Sequence, residues 1–449
     1  VLAMSGVTLA AIKIGQVMLG ISPVTVVVVA GLVTVFFSAL GGFKGVIYTD
    51  FILFIAAMAG SIGAAYFIVN QPDIGGLQAL ITHENVAPKL GMLPDFSDTE
   101  SLILLLVIPL AIQWWSTWYP GAEPGGGGYV AQRMLAAKDE SHAVGATFFF
   151  NIMHYAFRPW PWILVALASL IRYPDIASIS AAFPAVEASK LGNDLAYSAM
   201  LTQLPTGLLG LVLASLGAAY ISTLSSHLNW GASYLVYDVY AKHRPEASEK
   251  TKVRMGQLAT LLLMAVSGFV ALQLQNAKQL FDVILMFGAG TGLLFMMRWF
   301  WWRINAWSEI SAMIISGVVS MLLAFTSVGP MLFGAEGLMP GYMQYPFIVL
   351  VTTATWVAVT FMTPAENAET LEKFVDQLEL SGPGWKAITD RKSSGFLSRG
   401  ILSMLYGCVL VYGMLFAVGQ LLYQKYSQAA LLFVVAIAAG IALRQAVKK

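Results

Sequence analysis

Apolar runs of about 20 residues recur from one end of this sequence to the other, and that recurrence restricts the fold more than any motif. Such runs suit a lipid environment, where every backbone polar group must be satisfied within the segment, so spanning elements are helices or closed barrels. The runs are too long and too continuously apolar for barrel strands. Twelve spans can be drawn: 1–20, 22–40, 45–69, 101–119, 144–171, 206–240, 253–274, 280–302, 306–327, 343–362, 398–423 and 427–446. Charged residues make up 11% of the 449 positions, against about 25% in a soluble domain. The expected fold class is an all-α polytopic membrane protein.

Basic residues set the orientation. If the loop at 241–254 faces the cytoplasm, alternation puts 18 of the 25 lysines and arginines inside and five outside, with Lys13 and Arg158 within spans. This asymmetry satisfies the positive-inside rule and places both ends of the chain in the cytoplasm. The single cysteine, Cys408, excludes a disulfide framework within the chain. A net charge of +1 gives no reason to expect nucleic acid as a partner. Val1 opens inside an apolar helix with no signal peptide before it, which reads as a sequence lacking its natural N-terminus. Of the long connections, 70–100 and 172–205 fall outside and 363–397 inside; the last is polar and reads as a partly helical linker.

The sixth span carries a polar stripe. Ser222, Ser225, Ser226, Asn229 and Ser233 sit at i, i+3, i+4, i+7 and i+11, on one face of a helix, with Thr223 beside them. Hydroxyls in hydrocarbon need partners, and a hard cation takes oxygen ligands. The alternative is close helix packing through small residues, and the spacing alone does not separate the two.

Three further places carry chemistry. The fourth span runs into WWSTWYPGAEPGGGGY, where Pro120, Pro124 and Gly125 to Gly128 interrupt the helix among Trp114, Trp115, Trp118, Tyr119 and Glu123. Unwound backbone at membrane depth has to be buried in protein or line a wet cavity, and such interrupted helices point to transporter binding sites. No strand precedes the glycines and no Gly-Lys-Ser/Thr follows, so they are not a phosphate loop. Asp50 lies about two turns into the third span, where a carboxylate needs a partner, a cavity or an ion. His154 and Arg158 are spaced i, i+4 beside Pro159 and Pro161, which kink the fifth span. Arg158 is expected to pair with Glu123, snorkel or meet an anionic substrate, and Lys13 to snorkel or pair with another helix. Gly288, Gly290 and Gly292 are expected to bend their helix or pack it closely.

GGFKGVIYTD ending at Asp50, YVAQRMLAAKDESHA from Tyr129 and GAAYISTLSSHLN with the following VYDVY, in this order and separation, resemble the sodium:solute symporter family from residue 1 to about 300. Members of that family include bacterial sodium/galactose, sodium/proline and sodium/sialic-acid symporters. The resemblance implies a leucine-transporter-type fold of two inverted five-helix repeats, in a bacterial cytoplasmic membrane. It implies that the Ala219 carbonyl, Ser222 and Thr223 line the common sodium site. It also implies that Asp50, Ser225 and Ser226 match a second sodium site found in some members. Sodium is then the coupling ion, no cofactor is expected, and the partners are the lipid bilayer and a small-molecule substrate.

The match starts at the family's third core helix. The expectation is therefore a core at 1–302 lacking its first helices, completed by a missing segment or a separate N-terminal chain, with peripheral helices at 303–449. The family's galactose-binding polar positions fall on Gly127, His154 and Leu285, which argues against galactose-like recognition. Candidate substrate residues are Trp115, Trp118, Glu123, Gly127, Tyr129, His154 and Arg158: the tryptophans could stack on a sugar ring, the His and Arg would suit a carboxylate. The implied activity is sodium-coupled symport of a small polar organic solute. The alternatives are proton coupling through Asp50 and His154, and a membrane solute sensor, for which no signalling domain is visible. No nucleophile–base constellation suggests an enzyme.

Overall fold

The computed structural model describes residues 1–40, 43–113, 134–334, 336–391 and 396–448, and every regular element among them is a helix. The principal helices are α1 (Leu2–Leu19), α2 (Pro23–Leu40), α3 (Phe43–Val69), α4 (Thr99–Ile112), α5 (Glu140–Arg172), α6 (Thr206–His243) and α7 (Glu249–Gln273). They continue as α8 (Ala277–Met297), α9 (Ala306–Phe325), α10 (Gln344–Met362), α11 (Phe396–Leu422) and α12 (Tyr426–Lys448). Each of the twelve expected spans thus overlaps a helix among the described residues; residues 114–119 of the fourth lie outside them. Eight helices among the described residues are long and apolar enough to cross a membrane, nine if α5 and the short helix bent 85° from its end count as one span. This is a multi-pass membrane protein.

Helix starts follow local chemistry. Asp139 caps α5 by accepting from the backbone N–H of His142 at 2.9 Å. Asn305 and Ser308 form a reciprocal capping box at the start of α9. Pro159 and Pro161 lack the N–H groups that would bond the carbonyls of residues 155 and 157. Just before them the α5 ladder widens into a π-helical stretch at Ile152–Phe157, which carries the helix past the prolines.

The chain divides into two compact units. The first comprises Val1–Leu90 and Arg158–Leu280. Here α6 packs on α1, α2, α3 and α7, while α1 packs on α7 and α3 on α5. Its centre is an apolar cluster of Met4, Tyr220, Leu224, Leu228 and Met264. The long connections 70–98 and 173–205 fold over one end. Arg172 pairs with Asp73 at 2.8 Å, and Val17 of α1 packs with Ile179, Val186, Leu195 and Ala199.

The second unit comprises Gly91–Phe157 and Phe281–Lys449. In it α9 packs on α10, and α11 packs on α12 and on the π stretch of α5. Small residues bring α11 and α12 together: a Cβ at Gly413 would lie 3.1 Å from the Ala436 side chain, and Ala417 and Ala436 are buried. The 363–391 connection is partly helical, with a helix at Ala368–Leu378, and it is folded rather than loose. Leu371, Val375 and Trp385 form a buried cluster with Trp302, and Trp385 Nε1 donates to the Trp299 carbonyl at 2.9 Å.

Candidate sodium-binding face

Two faces of α6 do different work. One edge, Tyr220, Leu224, Leu228 and Ala232 at i+4 steps, is buried, and its first three residues join Met4 and Met264 in the core cluster. A second line begins against α3. A Cβ at Gly63 would lie 3.1 Å from Leu208, and one at Gly60 would lie 3.4 Å from Val212 and 3.8 Å from Ser215 Oγ. The two helices therefore run antiparallel. From Leu208, Val212 and Ser215, alternating steps of four and three residues lead through Ala219, Ser222, Ser226, Asn229 and Ser233. The polar stripe lies on the same line of α6 as the residues that meet α3.

The register places Asp50 on the same level. Gly60 lies beside residues 212–215, so ten residues back along α3 corresponds to about residues 222–225 on α6, at equal rise per residue. Asp50 is on α3, and its side chain lies outside the described residues.

Ser225 stands one step round from this line, toward the buried edge, and its Oγ is buried without a hydrogen-bond partner among the described residues. Buried hydroxyls are normally paired, so this one has capacity for a ligand. Ser233 by contrast donates to the Trp230 carbonyl at 2.8 Å. The Thr223 carbonyl meets His227 Nδ1 at 2.8 Å, which directs that imidazole along the helix. Ser222, Thr223, Ser225 and Ser226 are half-buried, while Ala219 and Asn229 are exposed. Hydroxyl and carbonyl oxygens without sulfur or imidazole suit a hard monovalent cation rather than a transition metal. Among the described residues no group of three or more His, Cys, Asp or Glu could hold a metal ion.

Residues 1–316 match the sodium:solute symporter family. The chain belongs to that family. Among similar proteins, this symporter-family chain is 27% identical over 393 residues to sodium/glucose cotransporter 4 of Danio rerio, covering 77% of the chain and 56% of the relative. It is 28% identical over 334 residues to sodium/myo-inositol cotransporter 2 of Rattus norvegicus, covering 66% and 47%. The chain spans about half the length of these curated relatives. A solved Na+-coupled sialic acid symporter, in a substrate-bound outward-open state, superposes with TM-score 0.53 at 20% identity, covering 81% of this chain and 75% of that one. That likeness is one of fold, of the leucine-transporter type.

The candidate substrate residues fare differently. Trp115, Trp118, Glu123, Gly127 and Tyr129, with the interrupted helix itself, lie outside the described residues. His154 stacks on Phe150, ring centroids 5.0 Å apart, and meets Tyr155 edge-on at 4.7 Å. The Arg158 guanidinium sits 4.8 Å over the Trp162 ring, a cation–π contact. His154 belongs to the second unit and Arg158 to the first. The π register of the intervening turn also departs from the i, i+4 alignment that their spacing suggested.

Lys13 pairs rather than snorkels: its Nζ donates to both carboxylate oxygens of Asp194 at 2.8 Å, with only 4% of the residue exposed. The sequence reading missed its neighbours. Lys190, 2% exposed, donates to the carbonyl of Leu272 at 2.8 Å and to that of Leu274, capping the end of α7. Burial pushes this ammonium below the ordinary lysine range; Glu187 opposes the shift and Lys13 adds to it. The Tyr197 hydroxyl bonds Ser61 and Trp162. The 173–205 connection is thereby tied to α1, α3, α5 and α7. The single lysine of a connection with no other basic residue was the available signal.

Proposed function

We propose that this protein is a sodium-coupled symporter of a small polar organic solute, working by alternating access. The observation that carries the reading is the oxygen line on α6, which lies on the same line as the residues that meet α3 and has the unpaired Ser225 hydroxyl beside it. One sodium ion is bound by the Ala219 carbonyl and the Ser222 and Thr223 hydroxyls, and a second by Asp50, Ser225 and Ser226. The second ion relieves both the intramembrane carboxylate and the orphaned hydroxyl. Sodium at the first site holds the outward-open state, and its release frees the solute inward, since an ion can shift the equilibrium only by its differential affinity for the two states.

The transporter core spans 1–302, with 303–449 peripheral, in a bacterial cytoplasmic membrane with both ends inside. The substrate is a sugar, sugar acid or other carboxylate, a class supported by relatives whose names carry glucose and myo-inositol and a fold neighbour that carries sialic acid. It is met by Trp115, Trp118, Glu123, Gly127, Tyr129, His154 and Arg158. The test is uptake by the whole protein of a panel of radiolabelled sugars and sugar acids, with sodium and with choline at fixed pH. Uptake that needs sodium supports the reading. Uptake indifferent to sodium but driven by a proton gradient overturns it.

A further inference from the structure

The end of α6 and the start of α7 carry a surface that the symport reading does not use, the VYDVY sequence included. The stretch Tyr234–Tyr240 is π-helical, and α6 then runs to His243 before the chain turns into α7 at Glu249. The two helices pack antiparallel here. A Cβ at Gly256 of α7 would lie 3.8 Å from the side chain of Val236, which is buried. Val236 and Gly256 thus stand at one level. Lys242 and Lys250 each lie six residues beyond it, about 9 Å further along their helices, with Arg254 between that level and Lys250.

Exposure toward this end is layered. Leu258, Leu261 and Leu262 of α7 are exposed. Tyr234 and Tyr237 of α6 are exposed at the height of residues 255–258, and exposed Val239 and Val253 carry apolar surface up to the cations. Residues 234–255 hold five lysines and arginines against three carboxylates. Glu249 is taken by Lys252 at 2.8 Å and Glu246 by Arg244 at 3.7 Å, while Asp238 pairs with none of the five. Lys242, Lys250 and Arg254 are exposed and have no ion pair or hydrogen bond among the described residues.

We propose that this end of the α6–α7 pair binds the headgroup of an acidic phospholipid. A bilayer offers acyl chains, an interface favoured by tyrosine, and phosphate in the same order as the leucines, tyrosines and cations follow one another here. Packed helices lie about 8–10 Å apart, so two long lysine side chains, one from each, can reach a single phosphodiester, and Arg254 adds a forked donor. A soluble anion would need only the cations; the exposed apolar rows beside them fit a ligand that is largely hydrocarbon. A phosphatidylcholine headgroup carries its own ammonium, which the three free cations repel. The inference needs only that the chain spans a membrane, and it is independent of the sodium site.

The test is native mass spectrometry of the whole protein in neutral detergent, titrated separately with phosphatidylglycerol, phosphatidylcholine and glycerol 3-phosphate. The first phosphatidylglycerol should be held more tightly than phosphatidylcholine. A basic residue near an anionic membrane surface is worth roughly a factor of five in binding, so Lys242→Gln, Lys250→Gln and Arg254→Gln together should weaken that lipid by about a hundredfold. Removing three charges elsewhere, by Lys89→Gln, Lys373→Gln and Lys386→Gln, should leave it in place. Raising the salt should weaken the wild-type complex, a reading that stands even if the triple variant fails to fold. Equal retention of the two lipids, equal loss in the two triple variants, or indifference to salt would overturn the proposal. Glycerol 3-phosphate bound as tightly as phosphatidylglycerol would also overturn it, by showing a site for a soluble phosphate.

Discussion

The α6 stripe and the α9–α10 seam both carry small hydroxyl residues along one face of a helix, yet their hydroxyls stand in different surroundings. On α9 and α10 the oxygens face one another: Ser308, Ser316, Thr352 and Thr360 are all 0% exposed, and three of the four have protein partners. On α6 the line at Ser222 and Ser226 is half-buried and flanked by the exposed Ala219 and Asn229. Its opposite number is a helix bearing a carboxylate at matching height. Small polar residues in a membrane helix either close a joint or leave a coordination face open. The neighbouring helix decides which, and periodicity does not.

The largest effect should come from breaking that distinction on the α6 side. In the whole protein, Ser222→Ala with Thr223→Ala removes the two hydroxyls proposed to hold one ion, each ion–dipole contact being worth about 1.5–3 kcal/mol. Half-saturating sodium for uptake should rise roughly tenfold or more, since 1.4 kcal/mol is a factor of ten. Solute affinity without sodium should change much less. The matched control, Ser308→Ala with Thr360→Ala, should lower thermal stability and leave the sodium curve in place. If both pairs leave it in place, the α6 stripe only packs helices. Asp50→Asn sharpens the comparison further by lowering the Hill coefficient for sodium.

A second comparison sets the buried Lys13 and Lys190 against exposed basic residues such as Arg244, 69% exposed at its side chain. Asp194→Asn strips the partner from a nearly buried ammonium, a change that costs about 3–5 kcal/mol when a buried pair is broken on one side only. Melting temperature of the purified protein should fall clearly, and Lys13→Met combined with Asp194→Leu should recover much of the loss. An additive double mutant would mean that the pair contributes nothing beyond its separate residues.

Trp385→Ala should act more locally. The ring is 2% exposed within the cluster of Leu371, Val375 and Trp302, and truncating a buried Trp costs about 3–5 kcal/mol at the site. Amide exchange should accelerate across 368–391 while α6 and α7 keep their protection. Acceleration spread evenly over the chain would show that this segment is part of the global fold rather than a local unit.

These contrasts also mark what the sequence makes legible. Each apolar run meets a helix among the described residues, because apolarity over a span's length is a property of each segment alone. The stripe was legible as a face, since i, i+3, i+4 spacing is local too. That the face shares a line with the residues that meet α3 needed Gly60 and Gly63 to be seen beside Val212 and Leu208, which are some 150 residues away in sequence. Lys13 showed a need for a partner but not which one, because Asp194 lies in an irregular connection whose path no periodicity describes. The π turn before Pro159 was hidden for a related reason: proline predicts a broken ladder, and the way the ladder is mended depends on what packs around it.

The smallest expected effect comes from two capping boxes that differ in one atom type. Asp175 with Ser178 starts the helix Ile176–Ala182, and Asn305 with Ser308 starts α9. Asp175 accepts from the Ser178 backbone N–H at 2.8 Å, and that bond, reinforced by the Ser178 side chain, holds the carboxyl below its ordinary value of 3.8. A carboxylate shifted downward contributes stability above its unfolded pKa and loses it as pH falls through the folded one. Amide protection of residues 176–182 should therefore weaken as pH drops below about 4, starting from the unfolded value. Protection at the start of α9 should not follow, because the Asn305 amide does not titrate in this range. Asp175→Asn should keep the cap, since Asn serves as well as Asp at this position, and flatten the pH response. If the 176–182 helix loosened equally in the wild type and in that variant, the acid sensitivity would belong to the connection as a whole and the cap would carry none of it.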